Sequence, residues 1–218
     1  MDGCETYWLE QEDADKIEAF VFNEEIYWTF TPDVTFPSAL KKDHKKTRIP
    51  GFNACIIKDG LPTKVISNLA RLLDRMNFNA ITKHLDEYKN QSFNIRRLQF
   101  WMYPNRKGAG KVPHRPHIDF GEYNKTGLYF VNDCDADTIF FKIKDQYKEE
   151  FKKEIEDGYQ LYLLFQTDKL TMDHLEEIHR EKSEKGKLVL FDGYTIHASS
   201  SAEDEIRVTL NFNLQPVT

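Results

Sequence analysis

From residue 95 to residue 214 the chain breaks into short segments rich in β-branched and aromatic residues, separated by turn residues, and this limits the fold more than any other feature. Residues 95–103, 112–120, 127–131, 137–143, 159–166, 187–191, 195–199 and 206–214 each have the length and composition of a strand, with turn pairs such as Asp192-Gly193 between them. Upstream the texture differs. Residues 52–58 read as a strand closed by Asp59-Gly60, and residues 61 to about 88 carry helical periodicity. Pro62 suits the first turn, Val65, Leu69, Leu72 and Met76 recur at three-to-four spacing, and residues 77–79 divide the segment into two helices. Residues 145–156 and 172–183 are charged and read equally well as helix or long loop. Helices followed by many short strands give an α+β class: a double-stranded β-helix (jelly-roll) core with N-terminal helices packed on it. Trp28, Phe30 and Phe36 are expected to pack onto that core, because a stretch this aromatic is costly to leave in water.

The 218 residues fit one domain, with 1–94 as a helical and irregular support region and 95–214 as the catalytic core. With 40% apolar and 13% aromatic residues the chain is expected to fold. Its longest fully apolar run, 161–165, is far below the roughly 20 residues a membrane helix needs. The acidic start, Met1-Asp2-Gly3-Cys4-Glu5, lacks the layout of a signal peptide, so the expectation is a soluble cytoplasmic protein. Cys4, Cys55 and Cys134 have no paired metal-ligand spacing and read as idle thiols in a reducing compartment. The net charge of −6 argues against a broad nucleic-acid footprint. The cluster Lys41, Lys42, Lys45, Lys46 and Arg48 reads as a solvated face rather than a binding patch.

The chemistry lies in the second half. His117-Ile118-Asp119 is followed by His197, and Arg207-Val208-Thr209 comes soon after. On a strand the side-chain period is two, so His117 and Asp119 share a face and can grip one metal. Two histidines and a carboxylate occupy one face of an iron ion and leave the other open. Arg207 and Thr209 share a face by the same rule, and arginine is the preferred fork for a carboxylate. Triad plus anchor points to an oxygenase with a keto-acid co-substrate. His114 has odd spacing from His117, which sends it to the opposite strand face unless a bulge intervenes. His44, His84, His174 and His179 sit in polar contexts and receive no role.

These residues also carry a resemblance. Val112-Pro113-His114-Arg115-Pro116-His117-Ile118-Asp119 is similar to the first metal strand of the Fe(II)/2-oxoglutarate-dependent oxygenases, especially the prolyl 4-hydroxylase-like branch. The segments 127–133 and 137–141 resemble that branch's next two strands, with Asp135-Ala136-Asp137-Thr138 where Gly-Gly-Glu-Thr is usual. Residues 186–191 and 195–198 resemble the strands leading to the distal histidine, and Arg207-Val208-Thr209-Leu210 the carboxylate-binding strand. The general texture also resembles small phage-encoded members. The resemblance implies Fe(II) ligation by His117, Asp119 and His197, with Arg207 pairing the distal carboxylate of 2-oxoglutarate and Thr209 as a second donor. Tyr103 stands where a relative supplies a hydroxyl to the same carboxylate, with a structural aromatic as the alternative. Tyr129 is another candidate lining residue, with core packing the stronger reading. The implied reaction takes O2 and decarboxylates 2-oxoglutarate to succinate while hydroxylating a substrate, a prolyl residue in a peptide or protein being one class.

A cupin-type jelly-roll metalloenzyme without 2-oxoglutarate would use the triad and give His114 a role, but it has no use for Arg207. A non-catalytic binding module would have no use for an intact triad. Asp119 argues against halogenation, in which a halide takes the carboxylate's place. The loop 106–111, basic and glycine-containing, reads equally as a lid or as an ordinary solvated hairpin.

Overall fold

Residues 207–216 alternate strictly: Val208, Leu210, Phe212 and Leu214 are buried in the largest apolar cluster, while Arg207, Thr209 and Asn211 line a cavity on the other side. That period-two split fixes a strand with an apolar face and a polar, functional one. The computed structural model describes residues 3–23, 26–32, 49–64, 66–87, 92–107, 113–119 and 125–217. This last strand, β11 (Arg207–Pro216), is the centre of an eight-stranded sheet. Its members are β1 (Glu5–Trp8), β9 (Lys187–Asp192), β6 (Lys125–Phe130), β11, β5 (Phe93–Tyr103), β3 (Gly51–Lys58) and β2 (Thr29–Thr31) in spatial order, with β4 (Leu61–Pro62) beside β3. A smaller sheet holds β10 (Ile196–Ser199), β7 (Asp137–Ile143) and β8 (Leu175–Lys182), in that order. All pairings are antiparallel. This is the jelly-roll architecture in an α+β chain.

Helices cover both outer faces. α1 (Gln11–Asn23) sets Ile17, Phe20 and Val21 against the large sheet, joined there by Ile81 and Leu85 of α3 (Asn79–Glu87). On the far side, the short α4 (Lys152–Glu156) leads into α5 (Gly158–Gln166), which packs Leu161, Leu164 and Phe165 against Ile139, Phe141 and Ile143 of the small sheet. Between the sheets lies a thin apolar layer of Leu128, Phe130, Phe140, Val189 and Phe191, and beside it the cavity opens. Residues before 95 thus contribute strands as well as helices, since β1, β2, β3 and β4 all join the large sheet.

Four local expectations are corrected. Pro62 does not start a helix: Leu61 and Pro62 pair back onto Lys58 and Ile57, around Asp59 and Gly60, both at positive φ. The helix α2 (Leu69–Arg75) begins only where the Asn68 side chain accepts from the Arg71 amide at 3.0 Å. Asn77, at φ 53°, separates α2 from α3. Residues 159–166 are helical, not extended, because Asp157 caps the amides of Tyr159 and Gln160 and the buried side chains fall at helical spacing. Residues 175–182 form β8, a charged edge strand in which His179 and Glu181 turn inward between exposed neighbours. Finally, 113–119 is no continuous strand: only Pro113 and His117 make bridges, to Ser200 and His197. Trp28 packs at 6.3 Å from Phe100, as expected, whereas Phe30, on the edge strand β2, touches Phe52 edge-on but stays 58% exposed, a further correction. Phe36, the lysine cluster and most of the basic loop lie outside the described residues.

Candidate active site

Each histidine of the predicted triad is positioned by backbone. His117 and His197 face each other across an antiparallel bridge, each amide donating to the other's carbonyl at 2.9 Å. Their rings lie 4.4 Å apart. The Nδ1 of His197 is 2.9 Å from the carbonyl of Thr195, and the Nδ1 of His117 is 3.2 Å from that of Arg115. A carbonyl only accepts, so both Nδ1 atoms carry the proton and both Nε2 lone pairs are free for a metal. Asp119 brings an Oδ2 to 4.0 Å from the His197 Nε2, and the three donor atoms lie within 4.8 Å of one another. Among the described residues this is the one cluster of His, Cys, Asp or Glu able to hold a metal. Its carboxylate is itself held, since Thr126 donates to Asp119 at 2.6 Å and Asn213 donates to Thr126 at 3.1 Å.

Burial and charge agree with that role. Burial, and after it the neighbouring His197, push His117 down to about 4, so its imidazole is neutral at pH 7. Burial works against the Asp119 charge, but His197, His117 and the Thr126 hydroxyl together hold its carboxyl below the usual value. A hard carboxylate and two imidazole nitrogens with an open side suit a divalent first-row metal such as iron.

Across the cavity stands Arg207, 2% exposed. Its Nη1 donates to the Asp137 carbonyl at 2.6 Å and its Nη2 to the Thr138 hydroxyl at 2.7 Å. Its Nε is buried without a partner. The Asp137 carboxylate is taken by Arg180 at 2.9 Å, so this buried guanidinium has no carboxylate of its own among the described residues. Burial lowers its affinity for the proton, and such a charge calls for an anionic partner. Thr209 lines the same cavity. Tyr103 pairs with Arg207 in register and also lines it, its hydroxyl pushed up by burial and bonded to Ser199.

The cavity, of about 530 Å³, brings together His117, Asp119, His197, Arg207, Thr209 and Tyr103. Tyr129 is not there. It lies fully buried on the opposite face of β6, in the cluster shared with α1, because Leu128 and Phe130 take the inward positions. The expectation that Tyr129 lines the pocket is therefore corrected. His114 is corrected in the other direction. The break in strand geometry at 113–119 turns it into the cavity wall, where Ser199 meets its Nδ1 at 2.7 Å and Ser201 its Nε2 at 3.3 Å. With both nitrogens engaged it stays outside the triad. Sequence reading missed Thr126, Asn213, Thr138, Arg97 and Gln99. A signal existed for the last two: alternation along β5 puts Arg97, Gln99, Trp101 and Tyr103 on one face.

No protein-family model matches the sequence, and no curated protein matches it. Solved structures do match. An oxidoreductase of the 2OG-Fe(II) oxygenase family from Burkholderia pseudomallei superimposes with a TM-score of 0.56 at 9% identity, covering 98% of this chain and 85% of that one. A prolyl hydroxylase from Trichoplax adhaerens, in complex with a hypoxia inducible factor peptide fragment, gives 0.50 at 12% identity, covering 99% and 84%. HygX from Streptomyces hygroscopicus, with nickel and 2-oxoglutarate bound, gives 0.50 at 8% identity, covering 99% and 83%. At these identities the likeness establishes a shared fold.

Proposed function

We propose that this chain, which has the fold of the 2OG-Fe(II) oxygenases, is an Fe(II)- and 2-oxoglutarate-dependent dioxygenase that hydroxylates its substrate. The observation carrying this reading is the pairing, in one cavity, of a metal-competent His117–Asp119–His197 cluster with the buried, carboxylate-free guanidinium of Arg207. The donor set fits Fe(II), and the guanidinium fits the far carboxylate of a dicarboxylic keto acid. When bound, Fe(II) with 2-oxoglutarate and O2 supplies the oxidant that takes a hydrogen from a substrate C–H bond, while the keto acid is decarboxylated to succinate.

The protein's part is positioning. The Thr195 and Arg115 carbonyls fix the tautomers that present both Nε2 atoms. Thr126 fixes the Asp119 carboxylate. Arg207 is held rigid by Asp137 and Thr138 and stacks 5.7 Å from the Phe130 ring. Thr209 and Tyr103 stand beside it as further hydroxyl donors to the same carboxylate. Because Asp119 occupies the carboxylate position, hydroxylation rather than halogenation is the assigned outcome. Prolyl hydroxylation is one form of this reaction, and one similar structure is a prolyl hydroxylase. We treat the chain as one domain, with residues 1–94 supporting the core. No helix among the described residues is long and apolar enough to cross a membrane.

The competing cupin-type reading needs a further histidine, and the only other one in the cavity wall among the described residues, His114, is engaged at both nitrogens by serine hydroxyls. The deciding experiment is an anaerobic titration of metal-free protein with Fe(II) and then 2-oxoglutarate, followed by visible absorption. A charge-transfer band that needs both components, vanishes in His197→Ala and requires more 2-oxoglutarate in Arg207→Ala is the expected result. Iron binding with no such band would overturn the reading.

A further inference from the structure

A second arginine faces the same cavity and the proposed chemistry leaves it unused. Arg97 lies on β5, and its charge is felt at Tyr103, His117 and Asp119. Its Nε and Nη2 donate to the Gln99 Oε1 at 2.9 and 2.5 Å, which orients the guanidinium and leaves Nη1 without a hydrogen-bond partner among the described residues. Among the described residues it makes no ion pair. The other lining arginine, Arg115, is already paired with Asp168.

Counting charge sharpens this, and here the argument rests on the function proposed above. Fe(II) and the doubly charged 2-oxoglutarate cancel each other, and so do Asp119 and Arg207. Arg97 is left over: among the described residues, a loaded cavity holds one uncompensated positive charge. Beside it, Asn211 pairs in register with Gln99, while Asn213 pairs with Arg97. Arg97 and Asn211 are therefore diagonal neighbours on one face, about 7–8 Å apart. Asn211 lines the cavity, and its Oδ1 is buried and without a partner among the described residues, an acceptor that a donor from a ligand would satisfy.

We infer that Arg97 is the anchor for the substrate's carboxylate and Asn211 the acceptor for an N–H donor close to it, so that the substrate is a small amino-acid-like molecule. A single negative charge matches the count, and a planar guanidinium matches a carboxylate. The space is consistent: a cavity of about 530 Å³, within the range of single-ligand pockets, must hold the co-substrate as well. An internal prolyl residue of a peptide carries no carboxylate for Arg97, which separates the two substrate classes.

The test has two stages. The first titrates 2-oxoglutarate into wild-type and Arg97→Gln protein carrying Fe(II) without oxygen. Equal charge-transfer bands at equal concentrations are expected; absence of the band in both would instead sink the proposed function, and with it the charge count. The second uses Mn(II) in place of Fe(II), with 2-oxoglutarate, and measures calorimetric binding of free L-amino acids, each against its own carboxamide. Wild-type protein is expected to prefer at least one acid over its amide by about tenfold or more, the size of one charge-assisted hydrogen bond. In Arg97→Gln that preference should disappear, and in Arg97→Lys it should return in part. A preference that survives in Arg97→Gln, acids and amides bound equally, no acid bound, or a variant that has lost 2-oxoglutarate instead would each overturn the assignment. A proline-containing peptide amidated at its end, bound more tightly than every free acid, would move the substrate to the peptide class and overturn it too.

Discussion

Thr126 donates to Asp119 and accepts from Asn213, and both it and Asn213 are almost fully buried. The hydroxyl thus fixes the one anionic ligand of the triad from behind. Removing such an outer partner typically costs about 10–100-fold in metal affinity. Thr126→Val, which keeps the shape and deletes the hydroxyl, is expected to weaken Mn(II) binding by that order in calorimetry while the protein stays folded. Unchanged affinity would show that the carboxylate needs no such support. Much of the site is legible in the sequence because ligand residue types are few and chemically distinctive: His117, Asp119, His197 and Arg207 meet in one cavity. The supporting residues are ordinary threonines and asparagines, whose role exists only through contacts between strands distant in sequence. Tyr129 fails for a simpler reason, since nothing in the local pattern says which face of a doubly buried strand looks at the cavity.

At the level of elements, the β6–β11 pairing sets Gly127 opposite Phe212. A Cβ on Gly127 would stand 1.9 Å from the Phe212 ring, so the glycine is required by space rather than by backbone conformation. Overpacking of this kind costs about 1–3 kcal/mol. Gly127→Ala is expected to lower the urea midpoint by a corresponding amount, and Gly127→Ala with Phe212→Leu should lose less than the sum of the two single changes. Strict additivity would mean that the two do not clash. Strands such as β5, β7, β9 and β11 are legible because β-rich runs end at clear turns. α5 is not, because an apolar run such as Leu161–Phe165 suits a buried strand or a helix equally, and the decision rests on the Asp157 cap. β8 hides for the opposite reason: an edge strand can be charged almost throughout.

At the scale of the whole molecule, two sheets enclose imidazoles where protons are unwelcome, and stability should record it. Burial, then the charge of Arg207, push His114 from 6.5 down to about 3, and His117 is pushed down to about 4. The sign follows from linkage. Between the ordinary histidine value and these lowered ones the unfolded chain binds protons that the folded chain refuses, so stability falls as pH falls. The loss begins near pH 6.5, runs at up to about 1.4 kcal/mol per pH unit for each such histidine, and levels off below the folded-state values. Asp119, held below its usual value, adds a loss in the same direction at still lower pH. Urea unfolding of metal-free protein is therefore expected to change little between pH 7 and 8 and to weaken steadily between pH 6.5 and 4. Many carboxylates contribute to any acid unfolding, so the discriminating quantity is a difference. His114→Gln removes one refused proton, and its stability should decline less steeply than wild type across that window. Parallel curves for the two proteins would mean that the protein protonates His114 at no cost, contradicting a neutral ring clasped between Ser199 and Ser201.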